Sequence, residues 1–202
     1  MSSHSSNLIK ASGICGIVAP ILAFTCIFLA ITYSPHFFWT ENALSDLGIQ
    51  EGLTAVLFNY GLIFSGILTL IFAAGLLMFL RRKSLGGIGA FVFLLAAIAL
   101  TSIGAFPENA RPMHYYASVA FFMLAPISLL LIAANFLFMG EVKMGLFTFL
   151  VALAAASVWI VQFTLHFVQG VAIPETVSTL SASTWSMVMG CRMLKEASHL
   201  RE

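Results

Sequence analysis

Charged residues are scarce in this sequence. Of its 202 residues only 8% are Asp, Glu, Lys or Arg, whereas 60% are hydrophobic and the mean hydropathy is +1.02. Soluble globular domains carry about 25% charged residues. The composition therefore excludes an ordinary soluble domain and indicates a protein whose solvent is lipid.

The sequence contains long runs of apolar residues. A helix needs about 20 mainly apolar residues to cross a hydrocarbon core of about 30 Å, and six such runs occur. Continuous runs favour helices over a barrel, whose strands alternate in segments of about ten residues. The sequence predicts an all-α, six-helix transmembrane bundle. Its spans are 13–33, 56–80, 86–106, 115–138, 145–167 and 173–194, and Ser and Thr dilute the last.

The basic residues predict the orientation of this bundle. Lys and Arg concentrate in cytoplasmic loops, and with the N-terminus inside, Arg111 alone of the nine basic residues falls outside. We expect a multi-pass protein of the cell membrane with both termini cytoplasmic. A single membrane domain, 13–196, would lie between a disordered polar tail, 1–12, and a short tail, 197–202. Membrane lipids are the expected partners; the basic turn 81–83 needs no nucleic acid.

Cysteine is rare, and the usual catalytic motifs are missing. Cys15 and Cys26 lie in the first run and Cys191 near the inner end of the sixth, so none can form a disulfide in an outer loop. The chain lacks a Gly-rich nucleotide loop, a Cys-x-x-Cys pair and a Ser-nucleophile elbow. The sequence therefore identifies no reaction, and it gives no oligomeric state.

The polar residues that do occur crowd into one outer loop, FFWTENALSDLGIQEG, residues 37–52. Thr40 and Gly48 are suited to begin and end a short interfacial helix near residues 40–48. On such a helix Asn42 and Asp46 are four residues apart and share a face, with Ser45 beside them. We expect this helix to cover the outer mouth of the bundle.

Other outer segments carry polar groups that this face can meet. Asn59 opens the second span, Glu108 and His114 flank the third connection, and Gln162, His166 and Gln169 fit one helical stripe. Polar groups that face lipid remain unpaired at a cost of several kcal/mol, so we expect them to converge in one outward-facing pocket. The candidate pocket residues are Asn42, Ser45, Asp46, Asn59, Glu108, His114, Gln162 and His166.

Short motifs in these segments resemble a known family. They are Asn-x-x-Ser-Asp-Leu-Gly at 42–48, Phe58-Asn59, Ile-Gly-x-Phe-Pro at 103–107, and His114. The pattern resembles an uncharacterised prokaryotic membrane-protein family called domain of unknown function 998. The resemblance implies a six-helix membrane protein and supplies no activity.

Three functions fit these residues. The first is a protein that binds a lipid-like or other hydrophobic small molecule in the outer pocket. The second is a transporter of a small solute or ion, although the spans show no inverted repeat. The third is a zinc-dependent lipid hydrolase, with His114, His166 and Asp46 as ligands and zinc as cofactor.

Simpler interpretations of the same residues also remain. His114 can donate a hydrogen bond to a backbone carbonyl, and His166 can bond between helices. Small residues with helical spacing in the sixth run favour close helix packing. They are Thr176, Thr179, Ser183, Ser186 and Gly190.

Overall fold

The computed structural model describes residues 3–80 and 84–199, and over these ranges the chain contains helices and no strand. A short 3₁₀ helix, Leu44–Ile49, lies between the first two long helices. The α-helices are α1 Ser3–Thr32, α2 Leu53–Leu80, α3 Ser84–Ala105, α4 Met113–Phe138, α5 Val142–Leu165 and α6 Ala172–His199.

The long helices pack in chain order, and α6 returns to α1 to close a ring. Five of them, α1 to α5, are long and apolar enough to cross a membrane. The prediction of an all-α membrane protein is confirmed for five membrane-spanning helices. The sixth helix is as long as the others, but its Ser and Thr residues make it more polar.

The hydroxyl groups of α6 are largely satisfied within the helix itself. Thr176, Thr179 and Thr184 each donate to the carbonyl oxygen four residues earlier, at 2.7–2.8 Å. Such local bonds pair the hydroxyl hydrogen without a partner from another helix or from water. The helix can therefore pack against apolar neighbours despite its composition.

Trp185 fixes α6 to the bundle core. Its side chain is fully buried, and its Nε1 donates to Thr148 Oγ1 on α5 at 3.0 Å. The ring contacts Phe72 on α2 and Phe93 on α3, with centroid distances of 6.2 and 5.4 Å. One side chain thus joins four helices.

Small residues bring α1 and α6 close together. A Cβ atom on Gly190 would lie 2.6 Å from the carbonyl oxygen of Gly13, which is too short for any larger residue. Ser186 Oγ donates to the carbonyl oxygen of Gly16 at 2.7 Å. The prediction of a packing surface on α6 is confirmed at Ser186 and Gly190.

The two ends of the described chain differ from the predicted tails. α1 already begins at Ser3, and Ser6, Ile9 and Ser12 are buried. Ser6 Oγ donates to the carbonyl oxygen of Ala197 at 2.9 Å. The helices α1 and α6 therefore extend into the segments 1–12 and 197–202 that the sequence predicted as tails, and the Ser6 hydroxyl packs between the two helices. The basic turn 81–83 lies outside the described residues.

Candidate functional site: a carboxyl cluster above an apolar cavity

The outer 3₁₀ helix is held down by apolar side chains and by Asn59. Leu44 and Leu47 are buried in the core. Asn59 Nδ2 on α2 donates to the carbonyl oxygen of Gly48 at 2.8 Å. A Cβ on Gly48 would lie 2.6 Å from Asn59 Oδ1, so a larger residue would displace the Asn59 side chain. A short outer helix was predicted near residues 40–48; the observed one begins at Leu44 and is 3₁₀ rather than α.

Asp46 organises the start of this helix. Its Oδ2 accepts hydrogen bonds from Asn42 Nδ2 at 2.8 Å and from the Ala43 amide at 2.9 Å. Asn42 Oδ1 in turn accepts from the Phe38 amide at 2.9 Å. The prediction that Asn42 and Asp46 share one face is confirmed. This arrangement leaves the second oxygen of Asp46 for other partners.

A backbone clamp joins the outer loop to the connection between α5 and α6. The four consecutive amides of residues 169–172 donate to the carbonyl oxygens of Thr40 and Asn42, over 2.8–3.1 Å. Gly170 packs directly on this backbone, and an added Cβ would overlap the carbonyl oxygen of Asn42. The outer loop and the start of α6 therefore form one unit.

The predicted stripe of Gln162, His166 and Gln169 is wrong. α5 ends at Leu165, and His166 has a left-handed backbone with φ of 47° that reverses the chain. Gln162 is buried, and its Nε2 donates to the carbonyl oxygens of Val168 and Gly170 at 2.9 and 3.2 Å. Gln162 therefore supports the connecting loop, while the His166 side chain is exposed.

Three carboxyl groups from three segments meet beneath the outer loop. Asp46 and Glu108 interact through their side chains, and both interact electrostatically with Glu175. The Glu175 side chain is buried in the first turn of α6, and its Oε2 accepts from the Leu44 amide at 2.6 Å. Arg111 Nη2 lies 3.6 Å from Glu108 Oε1, but the Arg111 side chain is 77% exposed. We call Asp46, Glu108 and Glu175 the carboxyl cluster.

Burial raises the pKa of Glu108 above its usual value of 4.5. The interaction of its side chain with Asp46 acts in the same direction, whereas His114 and Arg111 act to lower the pKa. Two carboxyl groups in contact cannot both ionise without cost. The pair therefore favours holding a proton, or another hydrogen-bond donor, between its oxygens.

His114 lies at the outer end of α4 and is only 7% exposed. Its Nδ1 is 2.7 Å from the carbonyl oxygen of Phe106. Because a carbonyl can only accept, this contact assigns the proton of the neutral imidazole to Nδ1. The expected bond to a backbone carbonyl is confirmed. Nε2 is then an acceptor, and it has no hydrogen-bond partner among the described residues.

Below the carboxyl cluster a cavity of about 780 Å³ runs between α4 and α5. Ser45, Glu108, His114 and Glu175 border its polar end. Along α4 the lining residues recur every fourth position and change from polar to apolar. They are His114, Ser118, Phe122, Pro126 and Leu130. Sixteen residues of helix correspond to about 24 Å, so the cavity is long and narrow.

The opposite wall comes from α5. Ala156, Trp159, Ile160 and Phe163 line it, and Trp159 packs against Phe122 of α4 at a centroid distance of 4.7 Å. Trp159 Nε1 is buried and has no hydrogen-bond partner among the described residues. The cavity therefore presents one unpaired donor in an otherwise apolar wall.

The chain matches, over residues 17–192, the sequence model of a family described as protein of unknown function (DUF998). It belongs to the DUF998 family. The resemblance read from the motifs of the outer segments is thereby confirmed. No curated protein and no solved structure matches the chain. The matched range contains the outer loop, the carboxyl cluster and every residue of the cavity wall.

In this DUF998 protein the candidate pocket residues separate into three groups. Ser45, Glu108 and His114 border the cavity, and Asn42 and Asp46 lie beside them in one hydrogen-bonded set. Asn59 and Gln162 hold backbone segments instead, and His166 is exposed. Glu175 and Trp159 were absent from the predicted pocket. Glu175 is visible in the sequence as an outer acidic residue, but no local pattern shows that it is buried.

The predicted zinc ligands receive no support from this arrangement. Among residues 3–80 and 84–199 no three His, Cys, Asp or Glu side chains are grouped so that they can hold a metal ion. His166, which the zinc hypothesis required next to His114 and Asp46, has its side chain exposed at the end of α5. The polar end of the cavity is instead a set of hydrogen-bonding groups.

Glu108→Gln is expected to flatten the pH dependence of stability. Because the folded pKa of Glu108 is raised, the native state binds its proton more tightly than the unfolded state. The stabilisation that the Glu108 proton gives the folded state is therefore fully present below the ordinary Glu pKa of 4.5. It is lost as pH rises through the pKa of Glu108 in the folded state. Gln keeps a neutral, hydrogen-bonding side chain, so the variant should unfold at higher temperature than the wild type at neutral pH.

Thermal unfolding in detergent between about pH 4 and pH 8 measures this effect. The exposed Glu51 of the outer loop provides the matched control, Glu51→Gln. Parallel curves for the wild type and Glu108→Gln over the whole range would contradict the prediction.

Proposed function

We propose that this protein binds a lipid-like amphiphile in the α4–α5 cavity, with the polar end of the molecule at the carboxyl cluster. The observation that carries the proposal is the cavity itself. Its volume of about 780 Å³ lies within the range of small-molecule sites, about 300–1,000 Å³. Polar groups are concentrated at one end and apolar side chains form the rest, which is the distribution of polarity in an amphiphile.

The length of the cavity supports the same class of ligand. The lining stripe on α4 covers about 24 Å, compared with about 15 Å for half of a hydrocarbon core. An extended hydrocarbon chain together with its head group therefore fits the stripe better than a compact solute. Met123, Ile160 and Phe163 line the cavity and are each more than half exposed. An opening toward the bilayer between α4 and α5 gives such a chain a way in.

The proposal includes a sixth membrane crossing by α6. This helix has 28 residues and closes the ring with α1, and its threonines bond to their own backbone. Internally paired polar groups reduce the cost of placing a helix in lipid. Six crossings, with the basic residues on the inner side, place both termini in the cytoplasm and the carboxyl cluster outside.

Lipid retention tests the binding function. The wild-type protein, purified in detergent, should carry about one amphiphile per chain by native mass spectrometry. Ala156→Phe places a ring in the cavity wall and should remove most of this retention. Ala154→Phe, on the exposed face of the same helix, is the matched control and should retain the wild-type amount.

Equal retention by the two variants would show that the bound lipid lies elsewhere. Absence of lipid from the wild type, together with no stabilisation by any added amphiphile, would remove the proposed function.

A further inference from the structure

We infer that the cavity selects amphiphiles whose head group is an amine, which carries positive charge and donates hydrogen bonds. This inference rests on the proposed binding function and names the chemical class of its ligand. It depends on three features of the polar end: unpaired acceptors, an excess of carboxyl groups, and the position of both at the top of an apolar channel.

The first feature is that the unpaired groups at this end are acceptors. His114 is more than nine-tenths buried and lines the cavity. With Nδ1 donating to the carbonyl oxygen of Phe106, the unpaired Nε2 of the neutral ring is an acceptor. Glu108 Oε2 is buried and receives no hydrogen bond from an amide, hydroxyl or basic group of the described residues. A buried acceptor without a partner destabilises the structure, because it has lost its hydrogen bonds with water. A ligand that donates hydrogen bonds satisfies both groups, whereas one that only accepts leaves both unpaired.

The second feature is the balance of charge. The charged and titratable groups at this end come from every segment that meets there except α5: Asp46 from the outer helix, Glu108 and Arg111 from the α3–α4 connection, His114 from α4, and Glu175 from α6. Arg111 is the one cation among them that is charged at all ordinary pH values; it lines the cavity and lies 3.6 Å from Glu108 Oε1, with its side chain 77% exposed. The salt bridges of the described residues include neither Asp46 nor Glu175. Buried carboxyl groups without a cation are costly, so an ammonium group is the complement of these two.

The third feature is geometric. Glu175 and His114 both border the top of the channel whose lower walls are Phe122, Pro126 and Leu130. A head group bound by the acceptors would therefore have its chain directed down the apolar stripe. A carboxylate or phosphate head group would instead place its negative charge against Glu108 and Glu175.

Amphiphiles with one tail and different head groups test the inference. The full-length protein, freed of retained lipid in detergent, is titrated with tetradecylamine, tetradecanol and tetradecanoate, with the rise in unfolding temperature and the apparent Kd measured for each. Hydrogen bonds to charged groups contribute about 1.5–3 kcal/mol, so the amine should bind at least about tenfold more tightly than the carboxylate, with the alcohol between them.

Two variants locate the selectivity. Glu108→Gln and Glu175→Gln preserve the shape of the side chain and remove its capacity for negative charge, so each should reduce the preference for the amine over the carboxylate several-fold. Glu51→Gln removes a carboxyl group from the exposed loop and should keep the preference. Repeating the titration at about 0.15 and 0.5 M salt separates buried pairing, which persists, from surface attraction, which is screened.

The outcomes separate a failure of the amine preference from a failure of the proposed amphiphile binding. Equal affinity for the amine and the carboxylate, or unchanged selectivity in both Gln variants, would overturn the amine preference while binding of the tail remains. If none of the three amphiphiles binds, the proposed lipid-binding function fails as well.

Discussion

Replacing Trp185 with alanine is expected to lower the free energy of unfolding by about 3 kcal/mol. The ring is fully buried where α2, α3, α5 and α6 meet, so its loss leaves a void lined by Phe72 and Phe93. In soluble cores such a substitution costs about 3–5 kcal/mol. We expect a value at the low end of this range, because the indole ring of the unfolded protein is surrounded by lipid rather than water. The substitution then loses the packing contacts of the ring but little of the free energy of transfer out of water.

Unfolding in mixed micelles, followed by circular dichroism against denaturant, measures this effect. Trp185→Phe is the matched control: it fills most of the volume and removes the bond from Nε1 to Thr148, worth about 1 kcal/mol. Trp185→Phe should therefore lower the free energy of unfolding less than Trp185→Ala does. Equal stability of Trp185→Ala and the wild type would show that α6 is not fixed to the bundle through this side chain.

Gly170→Ala is expected to separate the outer loop from the start of α6 and to cost about 2–4 kcal/mol. The new Cβ overlaps the carbonyl oxygen of Asn42, which is backbone and cannot rotate away. The clamp formed by the amides of residues 169–172 must then shift. Glu175 follows this clamp directly and would lose its position beneath Leu44.

Two measurements check the result: thermal unfolding, and retention of the bound amphiphile. Gln169→Ala, at the neighbouring position, keeps the backbone donors and removes only an exposed side chain, so it should match the wild type in both. A Gly170→Ala protein that retains lipid and stability at the wild-type level would contradict a role for the clamp in shaping the polar end of the cavity.

Residues whose partners are close along the chain could be placed from the sequence. The spacing of Asn42 and Asp46 predicts a shared face, and the structure contains their hydrogen bond. The position of His114 after Pro112 allowed a bond to a backbone carbonyl, which is present at Phe106. In both cases the partners are eight or fewer residues apart, so local geometry fixes them.

Residues at chain reversals were harder to place. The spacing of Gln162, His166 and Gln169 fits a helix, but the left-handed backbone at His166 ends α5 and turns Gln162 toward the loop. Helical periodicity gives no sign of where a helix stops when the terminal residue is neither Gly nor Asn. From this stripe the pocket prediction took Gln162, which supports the loop backbone, and His166, which is exposed.

By itself the sequence determined that this DUF998 protein is an α-helical membrane protein whose loop 37–52 is rich in polar and acidic residues. Scarce charge and long apolar runs suffice for that, because each is a property of a continuous stretch of chain. The tertiary structure alone decided what the loop covers. Closure of the ring brings Glu175 to the Leu44 amide across 131 residues of sequence, and α4 and α5 together supply most of the cavity wall. Burial of a carboxyl group depends on which distant segments surround it, and no local pattern encodes that.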